Sequence, residues 1–140
     1  MFKSIQVSGL ILFVLVSLVY CSGGKRQSQT EAMEKEVLDI HNQVMQLLGE
    51  IARLKDELER SKEGLDSMAM DQLQGVDDLL LELTAANEGM MNWMRDYSGD
   101  FNEMGHEEVE QYLSDQMQEI EDVQDRISRA IEAAKKELGK

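Results

Sequence analysis

Few side chains in this sequence could perform chemistry. The chain has one cysteine, two histidines and ten methionines. Met90 and Met94 are four residues apart, which places both thioethers on one face of a helix, and thioethers suit Cu(I). His41 and Met45 complete this candidate metal-ligand set. The stronger interpretation is core packing, because methionine is a flexible filler of helical cores, and a methionine surface for peptides is a third.

Catalytic motifs are absent from the sequence. The chain has no glycine-rich phosphate loop, no HExxH and no GxSxG. A single cysteine can form neither an internal disulfide nor a cysteine-based zinc site. The di-iron bundle pattern Glu-x-x-His occurs once, at Glu103 and His106, whereas that site needs two copies. The sequence therefore predicts a protein that is not an enzyme and has no cofactor.

The chain is strongly acidic, with 28 Asp and Glu against 14 Lys and Arg and a net charge of −14. This balance argues against general nucleic-acid binding, which needs basic residues in excess. An acidic surface favours basic partners and repels anionic lipid headgroups. Glu107 and Glu108 fall in the first turn of a predicted helix, where they complement its dipole rather than form a catalytic pair.

The residues before Cys21 have a composition of their own. Lys3 supplies a positive charge, and residues 9–20 form an apolar run. A membrane span needs ~20 apolar residues, so this run is short for one. A positive start followed by a short apolar run is the layout of a secretory signal peptide, which we assign to residues 1–20.

The only cysteine follows that apolar run directly. Leu18, Val19, Tyr20 and Cys21 resemble a bacterial lipobox, at which lipoprotein precursors are acylated on the cysteine thiol and cleaved before it. Tyr20 departs from the small residue that is usual at its position. The resemblance implies a mature protein that begins at Cys21 and is held to the membrane by its lipid. Two alternatives stay open: ordinary signal-peptide cleavage near residues 22–24, and an uncleaved short anchor.

Residues 21–29 are rich in glycine, serine and glutamine, and we predict a flexible tether there. By analogy with sorted lipoproteins, Ser22 stands where an aspartate would signal retention in the inner membrane. The tether also lacks the acidic run of lipoproteins exported to the cell surface. The expected location is therefore the outer membrane, facing the periplasm.

Three stretches with apolar residues spaced three and four apart fill the remainder of the chain. They predict helices over residues 30–62, 66–97 and 106–138, with Thr30 as the first N-cap. Near-equal lengths and short glycine-containing links predict an all-α fold, an up-down-up antiparallel three-helix bundle over residues 30–140. The alternative is a helical hairpin plus a helix that pairs with another chain, so self-association is possible.

The apolar stripe of the second helix contains one polar residue, Asn87. The stripe otherwise passes through Leu80, Leu83, Met90 and Met94, and a second row seven residues apart flanks it. That flanking row consists of Leu79, Ala86 and Trp93. A stripe widened in this way suits a helix that touches two neighbours.

A polar residue in such a stripe usually fixes the register of the helices and must find a hydrogen bond. If the first link is centred near Gly64, His41 lies level with Asn87. The second link brings Gln116 and Met117 to the same height. We therefore predict a structural polar node of His41, Asn87 and Gln116. Methionines would surround this node, namely Met45, Met90 and Met91.

Several short motifs resemble a group of Bacteroidetes lipoproteins that often carry the label "viral A-type inclusion protein". The motifs lie at residues 37–45 (VLDIHNQVM), 49–51 (GEI) and 83–94, which ends in MMNWM, together with residues 106–113. The resemblance spans most of the mature chain. It implies a helical lipoprotein of unknown activity and no catalytic residue.

These features together predict a lipid-anchored periplasmic protein that takes part in protein–protein contact or in envelope structure, with an unidentified protein partner. The alternative is a lipoprotein that handles a metal through histidine and methionine.

Overall fold

The computed structural model describes the backbone of residues 6–65 and 69–140, and within these ranges the side chains from Gln27 onward. This part of the chain contains no strand, and its helices pack on one another. The all-α prediction is thus confirmed. The helices are α1 (Gln6–Glu63), α2 (Met70–Asp96) and α3 (His106–Glu137).

Helix α2 runs antiparallel to both of its neighbours. Lys62 near the end of α1 forms an ion pair with Asp77 near the start of α2. Beyond the end of α2, the backbone N–H of Ser98 donates to the hydroxyl of Tyr112, in the second turn of α3, at 2.6 Å. Each link therefore reverses the direction of the chain.

Helices α1 and α3 consequently run in the same direction. The ammonium of Lys135 near the end of α3 lies 2.8 Å from Glu50 Oε1 of α1. Lys140, beyond the end of α3, pairs with Glu57, about two turns further along α1 than Glu50. The up-down-up arrangement is therefore present as predicted.

The structure begins α1 far upstream of the predicted start. The backbone is helical through residues 21–29, which the sequence assigns to a tether. Thr30 is not an N-cap: its hydroxyl donates to the carbonyl of Gln27 at 3.0 Å, a bond back to the preceding turn. The chain has no proline, so no residue before Thr30 removes a backbone donor and ends the helix.

Several expectations for the N-terminus lie outside the described residues. Residues 1–5 and the side chain of Cys21 are among them, so signal-peptide cleavage and acylation stay predictions. No helix in the described part of the chain combines the length and the apolar character of a membrane span.

The core positions of α1 match the predicted stripe. Val37, Val44, Ile51, Leu54 and Leu58 are all buried. A helix gains most of its stability from packing an apolar face of this kind. The stripe of α1 therefore fixes which side of the helix faces α2 and α3.

Helix α2 is rotated from the orientation that its stripe predicts. Ala86 and Trp93 of the flanking row are buried, whereas Leu80, Asn87 and Met94 are only half-buried. Burying the Asn87 amide without a partner would cost free energy. The rotation keeps that amide at the edge of the core, and it places the large Trp93 ring inside.

A neighbouring pair on α2 tests the core. Leu83 is 0% exposed and Leu81 is 68% exposed. We expect Leu83→Ala to lower the free energy of unfolding by about 2–5 kcal/mol, because it leaves a cavity. The matched Leu81→Ala should change it by less than about 0.5 kcal/mol. Urea unfolding followed by circular dichroism measures both, and equal losses would contradict this packing.

Candidate functional site

The structure gives the three residues of the predicted polar node different neighbours. The His41 ring lies with its centre 5.8 Å from that of Trp93, not beside Asn87. Its Nδ1 lies 3.3 Å from the amide oxygen of the adjacent Asn42. The prediction centred the first link at Gly64, but α1 ends at Glu63 and α2 begins only at Met70. This longer link shifts the register of α2 along α1 by more than a turn.

Asn87 lies instead at the bundle surface. It borders a groove between α1 and α2 together with Leu48, Ile51 and Ala52. Asn87 is half-buried. None of the hydrogen bonds of the described residues joins Asn87 to His41 or Gln116, and its register-fixing role stays a prediction.

Gln116 is the one buried polar residue of the described core, at 7% exposed. Its amide nitrogen donates to Glu119 Oε2 at 3.2 Å. Its carbonyl oxygen is buried and has no hydrogen-bond partner. Val123 and Ala130 continue the row of Gln116 at intervals of seven, and their packing carries its side chain into the core.

Five rings form a continuous aromatic ladder, which we define as His41, Trp93, Tyr97, Tyr112 and Phe101. Trp93 and Tyr97 stack at 4.9 Å, and Tyr97 lies 6.1 Å from Tyr112. Phe101 approaches Tyr112 at 5.9 Å. The ladder therefore joins all three helices and the second link at one end of the bundle. The heptad pattern does not predict this ladder, although the four-residue spacing of Trp93 and Tyr97 puts both rings on one helix face.

Unpartnered polar atoms gather around this ladder. The Trp93 indole nitrogen, the Tyr97 hydroxyl and His106 Nε2 are all buried, and none has a hydrogen-bond partner among the described residues. His106 Nε2 lies 3.4 Å from a Glu110 carboxylate oxygen without forming a hydrogen bond. Such groups usually bond to water or to a ligand. The aromatic end therefore offers three buried polar atoms that could bond to water or to a ligand.

A cavity of about 220 Å³ opens beside the ladder. Glu31 and Glu34 of α1, Phe101 of the second link and His106 of α3 line it. The cavity thus combines carboxylates with an aromatic face at the end of the bundle.

Burial raises the pKa of Tyr97 to about 12. The negative charge of Glu34 and then the neighbouring Tyr112 add to this effect. The phenol is therefore neutral across the physiological range.

The candidate metal ligands are distributed between the core and the surface. Met90 is fully buried, Met94 is half-buried and Met45 is 40% exposed. His41 is half-buried against Trp93. The described residues contain no group of three or more His, Cys, Asp or Glu side chains that could hold a metal ion. The position of Met90 agrees with core packing, and metal binding stays a prediction.

The groove between α1 and α2, called the α1/α2 groove from here on, has a volume of about 330 Å³. Lys55, Asp56 and Glu59 continue its α1 wall beyond Ala52. Met45 lies one turn before Leu48 on α1, and Met91 lies one turn after Asn87 on α2. Both methionines therefore extend the groove in the opposite direction. Its walls are charged at one end and apolar at the other.

The chain matches no known protein-family model, no curated protein and no solved structure. The likeness to short helical lipoproteins therefore stays a prediction from the sequence motifs.

A substitution of Gln116 tests whether its buried carbonyl oxygen lacks a hydrogen-bond partner. Gln116→Met removes the unpartnered oxygen and keeps a side chain of similar length, so we expect it to stabilise the protein by about 1 kcal/mol. The exposed Gln118 is the control, and Gln118→Met should change stability by less than about 0.5 kcal/mol. Thermal unfolding compares the two variants. Destabilisation by Gln116→Met would show that the carbonyl has a partner.

The raised pKa of Tyr97 predicts that the stability of the protein depends on pH in the alkaline range. That pKa is about 12 in the fold against 10.0 ordinarily. The fold therefore favours the neutral phenol, and this contribution is complete below pH ~10 and lost as the pH rises to ~12. Tyr97→Phe should lack this loss. Unfolding measured from pH ~9 to ~12 should show a shallower decline for the variant, and identical profiles would contradict the assignment.

Proposed function

We propose that this protein is a lipid-anchored helical module of a bacterial envelope, located at the outer membrane and facing the periplasm, which acts by contacting other proteins and not as an enzyme. The observation that carries the proposal is the placement of large apolar side chains on the surface of an acidic bundle. Leu38, Met45 and Met91 are exposed, and helical spacing puts them on the α1/α2 side. Contiguous exposed apolar surface commonly marks a site of protein interaction.

The N-terminal pattern supports the anchoring part of the proposal. An apolar run of signal-peptide length ends directly before Cys21, the only cysteine of the chain. Acyl chains hold a protein to a bilayer by about 0.8 kcal/mol per buried methylene, so two or more chains anchor it stably. The net charge of −14 keeps the bundle itself off an anionic surface.

Replacement of Cys21 tests the anchor. The intact mass of the mature protein should show loss of residues 1–20 and a lipid increment on Cys21. Cys21→Ala should leave an unprocessed precursor or release the protein from the membrane fraction. An unmodified Cys21 thiol in membrane-bound protein would contradict the proposal.

Cross-linking in intact cells tests the contact role. An amine-reactive cross-linker should give a discrete heavier product with the acylated protein, and Cys21→Ala should lower its yield because the local concentration falls. Recovery of the uncross-linked chain alone at every dose of reagent would contradict an interaction role.

A further inference from the structure

The two walls of the α1/α2 groove are regular stripes. On each helix the wall residues recur at intervals of three and four, so they share one face. Leu48, Ala52 and Asn87 line the groove. Helical spacing extends the α1 stripe to Leu38, His41 and Met45, and the α2 stripe to Leu80, Thr84, Met91 and Met94.

These stripes border the core, against which Leu48, Leu80 and Met94 are half-buried, and their outer residues are exposed. Leu38 is 39% exposed, Met45 40% and Met91 46%. The core row of each helix, represented by Val44 and Met90, is 0% exposed. Both helices therefore carry a second, mostly apolar row beside the one that the bundle buries, and the two rows flank one groove. This arrangement matches the surface on which an amphipathic helix lays its apolar face.

The charge of the chain indicates what the groove binds. Asp56 and Glu59 lie in its α1 wall. Lys55 is the basic residue in the lining. A second copy of this chain would bring another −14 charges to the interface, and repulsion would oppose it. A helix with basic residues beside its apolar face complements the acidic rim.

The exposed methionines suit such an occupant. Methionine is unbranched and polarisable, and methionine-rich surfaces adapt to apolar side chains of different shapes. Met45 and Met91 lie on opposite walls, so an apolar face in the groove would contact both. We propose that the α1/α2 groove binds a basic amphipathic helix of a partner protein. This inference rests on the proposed contact role and specifies its surface and partner.

Binding of designed peptides to the full chain tests the inference. The protein is placed in phosphatidylcholine nanodiscs, whose headgroups carry no net charge, and empty nanodiscs serve as the blank. The probe is a fluorescent helical peptide with leucine at positions i, i+3, i+4 and i+7 and lysine elsewhere. Two control peptides keep its length: one has glutamate for lysine, and the other has the same residues in scrambled order. Fluorescence anisotropy measures the affinity of each.

We expect the lysine peptide to bind and both control peptides to bind at least about tenfold more weakly. If the scrambled peptide binds equally well, net charge alone explains the attraction, and the groove is not the binding site. Equal binding of the glutamate peptide would overturn the basic partner, and no binding of the lysine peptide would overturn the inference as a whole.

Paired substitutions locate the binding surface. Met45→Gln with Met91→Gln keeps side-chain length and charge but removes the apolar character, and should weaken the lysine peptide about tenfold. Leu81→Gln, at an exposed apolar residue on the outer face of α2, should leave affinity unchanged. Leu38→Gln alone provides a second groove variant if circular dichroism shows the double variant to be unfolded. Unchanged affinity in the folded groove variants would overturn the site.

Sedimentation of the same samples separates the other occupants. A dimer of the wild-type chain that the groove substitutions dissociate would assign the groove to a second copy and overturn the inference. If the lysine peptide does not bind while the cross-linked product still forms in cells, the protein contacts a partner through a surface other than the groove. If the peptide binds but Cys21 is unmodified, the groove stands and the anchoring proposal fails.

Discussion

Burial of the apolar face of α3 between α1 and α2 is the interaction on which the bundle depends. Leu113, Ile120 and Ile127 are completely buried along this face. Each such side chain contributes about 1.5–3 kcal/mol relative to an exposed position. Helices α1 and α2 are left with a groove along their outer side, so α3 does most to hold them in one register.

Two ion pairs join the C-terminal end of α3 to α1. Lys135 bonds to Glu50, and this bond lowers the pKa of the Glu50 carboxyl. Lys140 has the same effect on Glu57. These pairs use basic residues at the end of α3, where they also complement the helix dipole. A chain with twice as many acids as bases thus places part of its few cations where they tie α3 to α1.

The heptad pattern predicts the fold class and the core face of α1 because every position of that stripe is apolar. On α2 two apolar rows compete, and the pattern does not decide between them. The choice depends on tertiary packing, where the size of Trp93 and the desolvation of Asn87 determine the rotation. On α3 the structure buries Gln116 and leaves the adjacent Met117 half-buried. The predicted node does not include Glu119, to which the Gln116 amide nitrogen donates.

The position of His41 shows a different limit. Heptads fix which face a helix buries, but they do not fix how far its neighbour slides along it. That offset depends on the length of the link, which the pattern around Gly64 does not define. The aromatic ladder follows from the true offset, because only that register brings the His41 ring to Trp93.

The unequal exposure of the methionines has a chemical consequence. Oxidants convert methionine to its sulfoxide where the sulfur is accessible, and the product is polar. Met90 is shielded by the core, whereas Met45 and Met91 are open to solvent. Oxidative damage would therefore change the surface of the bundle while its interior and its fold persist.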